Sequence, residues 1–369
     1  MPTFAEVLSQ YIREAELYER LDERRIRCFA CGHLCPIFEG QPGVCKVRFH
    51  REGKLYVPWG YVAGVHCDPI EKKPFFHVLP GARAYSFGMF GCDLHCPYCQ
   101  NWVTSQALRD PRAIAPPRRA TPEELVADAV ALGAQVIVST YNEPLITAEW
   151  AVAIFQEARR AGLLTGFVSN GNATPRVLEY LRPWLDLYKV DLKSFNDRDY
   201  RQLGGRLQPV LDSIRRIFEM GFWLEVVTLV VPGFNDSDEE LRQIADFLGG
   251  ISPDIPWHVT AFHKDYRMRD PDDTPPETLL RAARIGRQAG LRFVYAGNLP
   301  GLVGEFENTH CPGCGVVLVR RFGYRILENR LRASGRCPSC GTVIPGRWTA
   351  AGQNPARAPA QPAPRVVAG

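Results

Sequence analysis

From residue 83 to residue 297 the chain alternates short apolar runs with amphipathic stretches that carry helix caps. Strands are expected over 84–90, 134–140, 163–170, 186–193, 223–231, 256–263 and 292–297. Helices are expected between them. One opens at Thr121, with Pro122 at its first position and Glu124 closing a capping box. Others are expected over 147–162, 175–184, 208–221, 237–248 and 276–290, with Ser237 and Glu240 forming a second capping box. Apolar strands that alternate with helices bury both faces as a parallel sheet covered by helices. Six or seven such units fall short of a closed eight-fold barrel. The fold class is therefore α/β, a partial (β/α)6 TIM-like barrel over residues 83–304.

Ahead of the barrel, Phe4, Val7, Leu8, Tyr11, Ile12, Ala15 and Tyr18 fall on one face of a helix expected over residues 3–21. Residues 54–65 read as one or two short strands. Residues 68–81, DPIEKKPFFHVLPG, read as a structured loop whose Lys72 and Lys73 could face a substrate, with solvated lysines as the default. Four regions follow: an N-terminal segment (1–82), the barrel, a C-terminal module (305–348) and an Ala/Pro-rich tail (349–369) with too little to pack, expected to be disordered.

The first barrel strand runs straight into GCDLHCPYCQN, residues 91–101, which sets Cys92, Cys96 and Cys99 in a C-x3-C-x2-C spacing. A structural zinc site takes four protein ligands, and an ordinary iron–sulfur cubane takes four cysteines. Three thiolates in one loop suit a [4Fe–4S] cluster with one iron left open for another ligand. The plainer alternative is a zinc knuckle completed from elsewhere, for which His95 and Cys67 are candidates. Four other strands also end in polar motifs: STYNEP (139–144), SNGN (169–172), DLKSF (191–195) and AFHKDY (261–266). Each alone could simply turn the chain. Four of them around one cysteine loop argue for a site at the C-terminal ends of the strands.

Two further thiol groups stand apart from that loop. Cys28, Cys31, Cys35 and Cys45 lie within 18 residues, enough to close a zinc site or a second [4Fe–4S] cluster. Cys311, Cys314, Cys337 and Cys340 form two C-P-x-C-G knuckles 22 residues apart, a zinc-ribbon or rubredoxin-like pattern expected to hold a structural zinc. His33, His50 and His66 read as ordinary histidines. Twelve cysteines, mostly at metal-ligand spacings, point to a reducing cytoplasm rather than to disulfides. The amphipathic, acidic N-terminus is unlike a secretory signal, and no run of about 18 apolar residues suggests a membrane span. A multi-zinc nucleic-acid-binding protein is the competing reading. Against it, the net charge is only +4, the basic residues are scattered, and no aromatic–basic strip is evident. A ferredoxin-like electron carrier is disfavoured by the large barrel and its polar strand ends.

The C-x3-C-x2-C loop, with Tyr98 before its last cysteine, resembles the signature of the radical S-adenosylmethionine (SAM) superfamily. The resemblance implies that the open iron chelates SAM. Reductive cleavage then gives a 5′-deoxyadenosyl radical that abstracts hydrogen from a substrate. Glu143 in YNEP matches the acidic residue of the Gly-Gly-Glu-Pro type motif that holds the methionine amino group, although Tyr141 and Asn142 replace its two glycines. Asn170, Asp191, Lys193 and His263 match positions that line the SAM pocket in enzymes resembling glycyl-radical activases, and VVPG, Val230 to Gly233, is also shared. Glu225 and Thr228 stand on that strand where activases often carry a basic residue. Across nearly the whole chain, the N-terminal four-cysteine segment, DPIEKKP, TYNEP, DLKSF, PWHVTAFH, YAGN and the C-terminal knuckles resemble the radical enzyme of the AmmeMemoRadiSam system, which is itself similar to pyruvate formate-lyase activating enzyme. The partners implied are an electron donor such as flavodoxin or ferredoxin, and a protein substrate or other proteins of that system.

Overall fold

The computed structural model describes residues 4–113, 115–331 and 333–349. The core is one eight-stranded sheet: β1 (Gly64–Pro69), β2 (Arg83–Gly88), β3 (Val136–Ser139), β4 (Leu164–Ser169), β5 (Leu187–Asp191), β6 (Trp223–Val230), β7 (Trp257–Ala261) and β8 (Val294–Gly297). The strands lie side by side in sequence order. β2 to β8 run parallel, and β1 pairs antiparallel with β2, Gly64 opposite Gly88 and Pro69 opposite Arg83. The sheet is open, with β1 at one edge and β8 at the other. The seven parallel strands β2 to β8 match the seven expected from the sequence, and the antiparallel edge strand β1 is an addition to them.

Helices cover one face of the parallel strands, and Ile70, Phe75 and Val78 pack against β2 to β5 on the other. Val136, Ile137, Val138, Val226 and Val259 are all fully or almost fully buried. The covering helices are α1 (Pro122–Ala131), α2 (Ala148–Arg160), α3 (Pro175–Leu181), α4 (Leu207–Glu219), α5 (Asp238–Ile251) and α6 (Pro276–Gln288). At α1 both halves of the expected capping box form between Thr121 and Glu124. At α5 only one half forms. The Ser237 hydroxyl accepts from the Glu240 N–H, while the Glu240 carboxylate accepts instead from the Ser194 hydroxyl (2.6 Å) and the Phe195 N–H (2.7 Å). Glu240 thereby ties α5 to the loop after β5, a tertiary use that overrides the local cap.

The long N-terminal helix does not form. The chain is helical only over Phe4–Leu8, then extends into strands Ile12–Glu14 and Tyr18–Arg20. Ile12–Glu14 pairs with Lys54–Pro58. Ala15 and Leu17 are buried with Glu16 exposed between them, so the working period there is two, and sheet pairing overrides the helical spacing. This segment docks on α2 through a bidentate pair: Arg48 donates to the two oxygens of Glu149 at 2.8 and 2.7 Å, both side chains 1% exposed.

At the other end, strands Thr309–His310, Val317–Phe322 and Arg325–Asn329 form a small antiparallel sheet. It packs against Phe76, Phe293 and Tyr295 of the core. Arg321 is buried there, donating to the Phe76 carbonyl (2.9 Å) and the Thr309 hydroxyl (2.8 Å). Glu225 on β6 anchors the same region, accepting from the N–H groups of Phe76 (3.0 Å) and His77 (2.9 Å) and from His258 Nε2 (2.7 Å). From residue 350 onward, the expected disordered tail lies outside the described residues.

Candidate active site

The C-terminal ends of β2 to β5 converge on two adjoining cavities. The smaller, about 100 Å³, is lined by Cys92, Cys96, Cys99, Glu143, Asn170, Asp191 and Lys193 among others. The larger, about 350 Å³, shares Cys96, Cys99, Asp191 and Lys193, and adds Tyr98 and residues from β5 to β8. Most of the residues singled out in the sequence are therefore brought to one place. His263 is the exception. It is exposed, and its Nε2 hydrogen-bonds the Gln100 amide (2.9 Å) at the rim of the cysteine loop.

The loop's shape is set by its first glycine. Gly91 sits at φ +95°, and a Cβ there would lie 2.7 Å from Val47 and 3.1 Å from the Cys45 carbonyl. The cysteine loop is thus pressed against the N-terminal four-cysteine segment. The Cys99 thiol lies 3.1 Å from the Ser105 hydroxyl, and the Leu94 N–H donates to Cys92 Sγ (3.4 Å). Burial pushes the Cys96 thiol up to about 11, and burial together with Asp93 raises Cys92 well above the ordinary thiol range. These thiols stay protonated at neutral pH until a metal displaces the proton.

The donor set fits a [4Fe–4S] cluster with one iron free of protein. Three soft sulfur ligands open into one cavity, and neither proposed fourth ligand lines it. His95 is exposed against Gly204, and Cys67 lies on β1.

Glu143 caps the short helical turn Pro144–Thr147. Its carboxylate accepts from the Leu145 N–H (3.1 Å), the Ser169 hydroxyl (2.7 Å) and the Asn170 N–H (2.8 Å). A carboxylate has about four acceptor positions, so one remains, and Glu143 lines the smaller cavity. Burial, then the neighbouring charge of Asp93, raise this carboxyl to about 8. Tyr141, two residues before, adopts φ +69°. The backbone takes the left-handed conformation that glycine favours even though a tyrosine stands there, which costs about 1–3 kcal/mol.

Asp93 was not singled out in the sequence. It is fully buried and accepts from both Asn170 Nδ2 (2.7 Å) and Asn172 Nδ2 (2.8 Å). The Asn172 carbonyl in turn accepts from the Gly32 N–H (2.8 Å) in the N-terminal cysteine segment. Lys189 was likewise missed as a site residue, and Lys73 had substrate contact only as the alternative to solvation. Lys189 pairs with Asp191, to which Lys193 also approaches at 3.8 Å. Burial raises the Asp191 carboxyl, but these two lysines outweigh it and hold it below the usual range. Lys73 is buried rather than solvated, donating to Asp68 (3.1 Å) and to the Tyr141 hydroxyl (3.0 Å).

The two remaining cysteine groups differ from the loop and from each other. In the C-terminal module all four sulfurs lie within 4.8 Å of one another, with Cys311–Cys340 at 3.5 Å and Cys314–Cys337 at 3.7 Å. Zn–S bonds of about 2.3 Å in a tetrahedron place sulfurs about 3.8 Å apart, so this quartet fits a single metal ion. The Thr342 hydroxyl and N–H lower the Cys340 thiol to about 6. In the N-terminal group, Cys28, Cys31 and Cys45 are buried and Cys35 is half-buried. The Cys28 N–H donates to the Cys35 carbonyl (3.0 Å), and burial raises Cys45 to about 11. No helix among the described residues is long and apolar enough to cross a membrane.

The sequence pattern of the radical SAM superfamily matches residues 87–248, from the end of β2 into α5. An uncharacterized protein of Methanocaldococcus jannaschii is 36% identical over 90% of this chain and 99% of its own length. The pyruvate formate-lyase-activating enzyme of Staphylococcus epidermidis is 27% identical over 50% of this chain and 78% of its own. Among solved structures, a radical SAM methyltransferase from Sphaerobacter thermophilus aligns over 83% of this chain and 81% of its own, at 16% identity and a TM-score of 0.46. The matched span contains the three-cysteine loop and the strand ends that meet around it, and this chain belongs to the radical SAM superfamily, with similarity to the pyruvate formate-lyase-activating enzymes.

Proposed function

We propose that this radical SAM enzyme cleaves SAM in the smaller cavity and abstracts a hydrogen atom from a substrate, protein or small molecule, held in the larger one. The observation that carries the reading is that Cys96 and Cys99, with Asp191 and Lys193, line both cavities, so the two spaces adjoin at the cysteine loop. When bound, the [4Fe–4S] cluster and SAM supply reductive carbon–sulfur cleavage and a 5′-deoxyadenosyl radical.

The chain's own residues do the rest. Cys92, Cys96 and Cys99 hold the cluster. Glu143 offers its remaining acceptor position to the amino group of SAM, whose positive charge favours the ionised carboxylate that burial otherwise opposes. Asp191 and Lys193 orient the polar end of SAM, and Asn170 fixes Glu143 through its N–H. Tyr98, 4% exposed, closes the cavity wall beside Cys96 and excludes water. The likeness to activating enzymes points to a protein partner in which a glycyl radical is made, and the cavity of about 350 Å³ points to a small molecule. The likeness to the AmmeMemoRadiSam enzyme favours partners from that system. Flavodoxin or ferredoxin is the proposed electron donor in the cytoplasm.

The C-terminal quartet is proposed to hold a structural zinc, and the N-terminal quartet zinc or a second [4Fe–4S] cluster. Anaerobic reconstitution with iron and sulfide, followed by assay for 5′-deoxyadenosine with dithionite, tests the reading. Cluster formation with 5′-deoxyadenosine production supports it. A protein that takes up zinc alone and makes no 5′-deoxyadenosine contradicts it.

A further inference from the structure

Four lysines, Lys72, Lys73, Lys189 and Lys193, line the larger cavity against two carboxylates, Glu71 and Asp191, and Asp68 lies behind the first two lysines. Asp68 is shared by Lys72 and Lys73, both at 3.1 Å. Asp191 is shared by Lys189 and by Lys193 at 3.8 Å. Each carboxylate thus serves two ammonium groups and leaves one charge over. Two further carboxylates stand nearby, Glu71 at 3.9 Å from the buried Arg321 of the C-terminal module and Glu225 bonded to His258 and to the Phe76 and His77 N–H groups, and among the described residues neither forms an ion pair with the four lysines. The SAM cation and the thiolate-bound cluster carry opposite charges and leave the excess in place.

The surplus lysines are the buried ones. Lys72 is 49% exposed and suffices for Asp68, whereas Lys73 and Lys189 are each 5% exposed. A buried charge without full compensation is costly. The Tyr141 hydroxyl also meets Lys73, at 3.0 Å, and Tyr141 is held there by a left-handed backbone at φ +69°. Strain of this kind is kept where the surrounding structure needs the side chain in place. The cavity measures about 350 Å³, the range of small-molecule sites. At its mouth the Tyr324 hydroxyl donates to Asn298 (3.2 Å).

We propose that this cavity binds a small molecule bearing two anionic groups, phosphate or carboxylate, with Lys73 and Tyr141 holding one and Lys189 the other. The inference rests on the larger cavity being the substrate site and names the substrate's class.

Calorimetry on the full-length protein, reconstituted and loaded with SAM, tests it with inorganic pyrophosphate and with succinate as probes. Saturable binding of at least one is expected, and which one binds separates phosphate from carboxylate recognition. Lys73→Met and Lys189→Met, on separate elements and each leaving its aspartate one lysine, should each weaken that binding roughly tenfold or more. Lys264→Met removes the same charge at an exposed pair with Asp272 and should keep the wild-type affinity. If neither probe saturates the wild-type protein, or if all three variants weaken binding equally, the proposal is overturned. Wild-type 5′-deoxyadenosine formation, measured in parallel, tells that failure from a failure of the enzymatic reading itself.

Discussion

Asn170 donates from Nδ2 to Asp93 at 2.7 Å, joining the end of β4 to the cysteine loop that follows β2. The same aspartate accepts from Asn172 at 2.8 Å. The cysteine loop and the strand end that steadies Glu143 therefore form one polar unit. Asp93→Ala should leave two buried amides without their acceptor, at about 1–3 kcal/mol each. A lower melting temperature and faster loss of iron from the reconstituted protein are expected. Unchanged values of both would show that the two asparagines find other partners.

The pair between Arg48 and Glu149 makes a pH-dependent contribution. Burial alone would raise the Glu149 carboxyl, but the Arg48 guanidinium outweighs it and holds the group below the usual carboxylate range. A carboxyl lowered in the folded state stabilises the protein above its unfolded pKa, and that stability is lost as pH falls through the folded value. Acid titration of wild-type stability should therefore show a loss below about pH 4.5. In Glu149→Gln that component should be absent. At neutral pH the same variant leaves Arg48 buried without its counter-ion, a cost of about 3–5 kcal/mol, read as a lower denaturation midpoint. An identical acid profile in both proteins would remove Glu149 from the account.

Much of this site was legible in the sequence because its parts are short polar motifs placed directly after apolar strands. YNEP, SNGN and DLK were found that way, and the structure brings Glu143, Asn170, Asp191 and Lys193 to one cavity wall. Lys189 was not legible in the same way, since it sits inside an apolar strand. Its signal was the spacing to Asp191, two residues on and so on the same face of a strand. Lys73 was hidden beside Lys72, and only the tertiary structure shows that one of the two is buried. The N-terminal helix failed because pairing of Ile12–Glu14 with Lys54–Pro58 overrides the helical spacing of the apolar residues. His263, carried over by resemblance, stands exposed at the rim.

Cys337→Ser should lose one metal equivalent and loosen residues 305–348 to proteolysis. A module of that size has too little core of its own, so metal binding supplies much of its folding energy. Uncoupled SAM cleavage should continue, because the quartet's closed tetrahedral set leaves no open coordination site. Iron in place of zinc, together with loss of turnover driven by a protein reductant, would instead mark the site as an electron relay.

Glu143→Ala should retain the cluster and bind SAM more weakly. A charge-assisted hydrogen bond to an ammonium group is worth about 1.5–3 kcal/mol, a loss of roughly tenfold to a hundredfold in affinity. Calorimetry on the reconstituted variant reads this directly. Wild-type affinity would mean that Glu143 serves only to cap the turn at Pro144–Thr147.

The central claim is that Cys92, Cys96 and Cys99 hold the cluster at which SAM is cleaved. Its most direct test is 5′-deoxyadenosine formation by Cys96→Ala after anaerobic reconstitution, with dithionite as reductant. The account predicts no 5′-deoxyadenosine above background and the loss of one cluster's worth of iron. Production at the wild-type rate would contradict it.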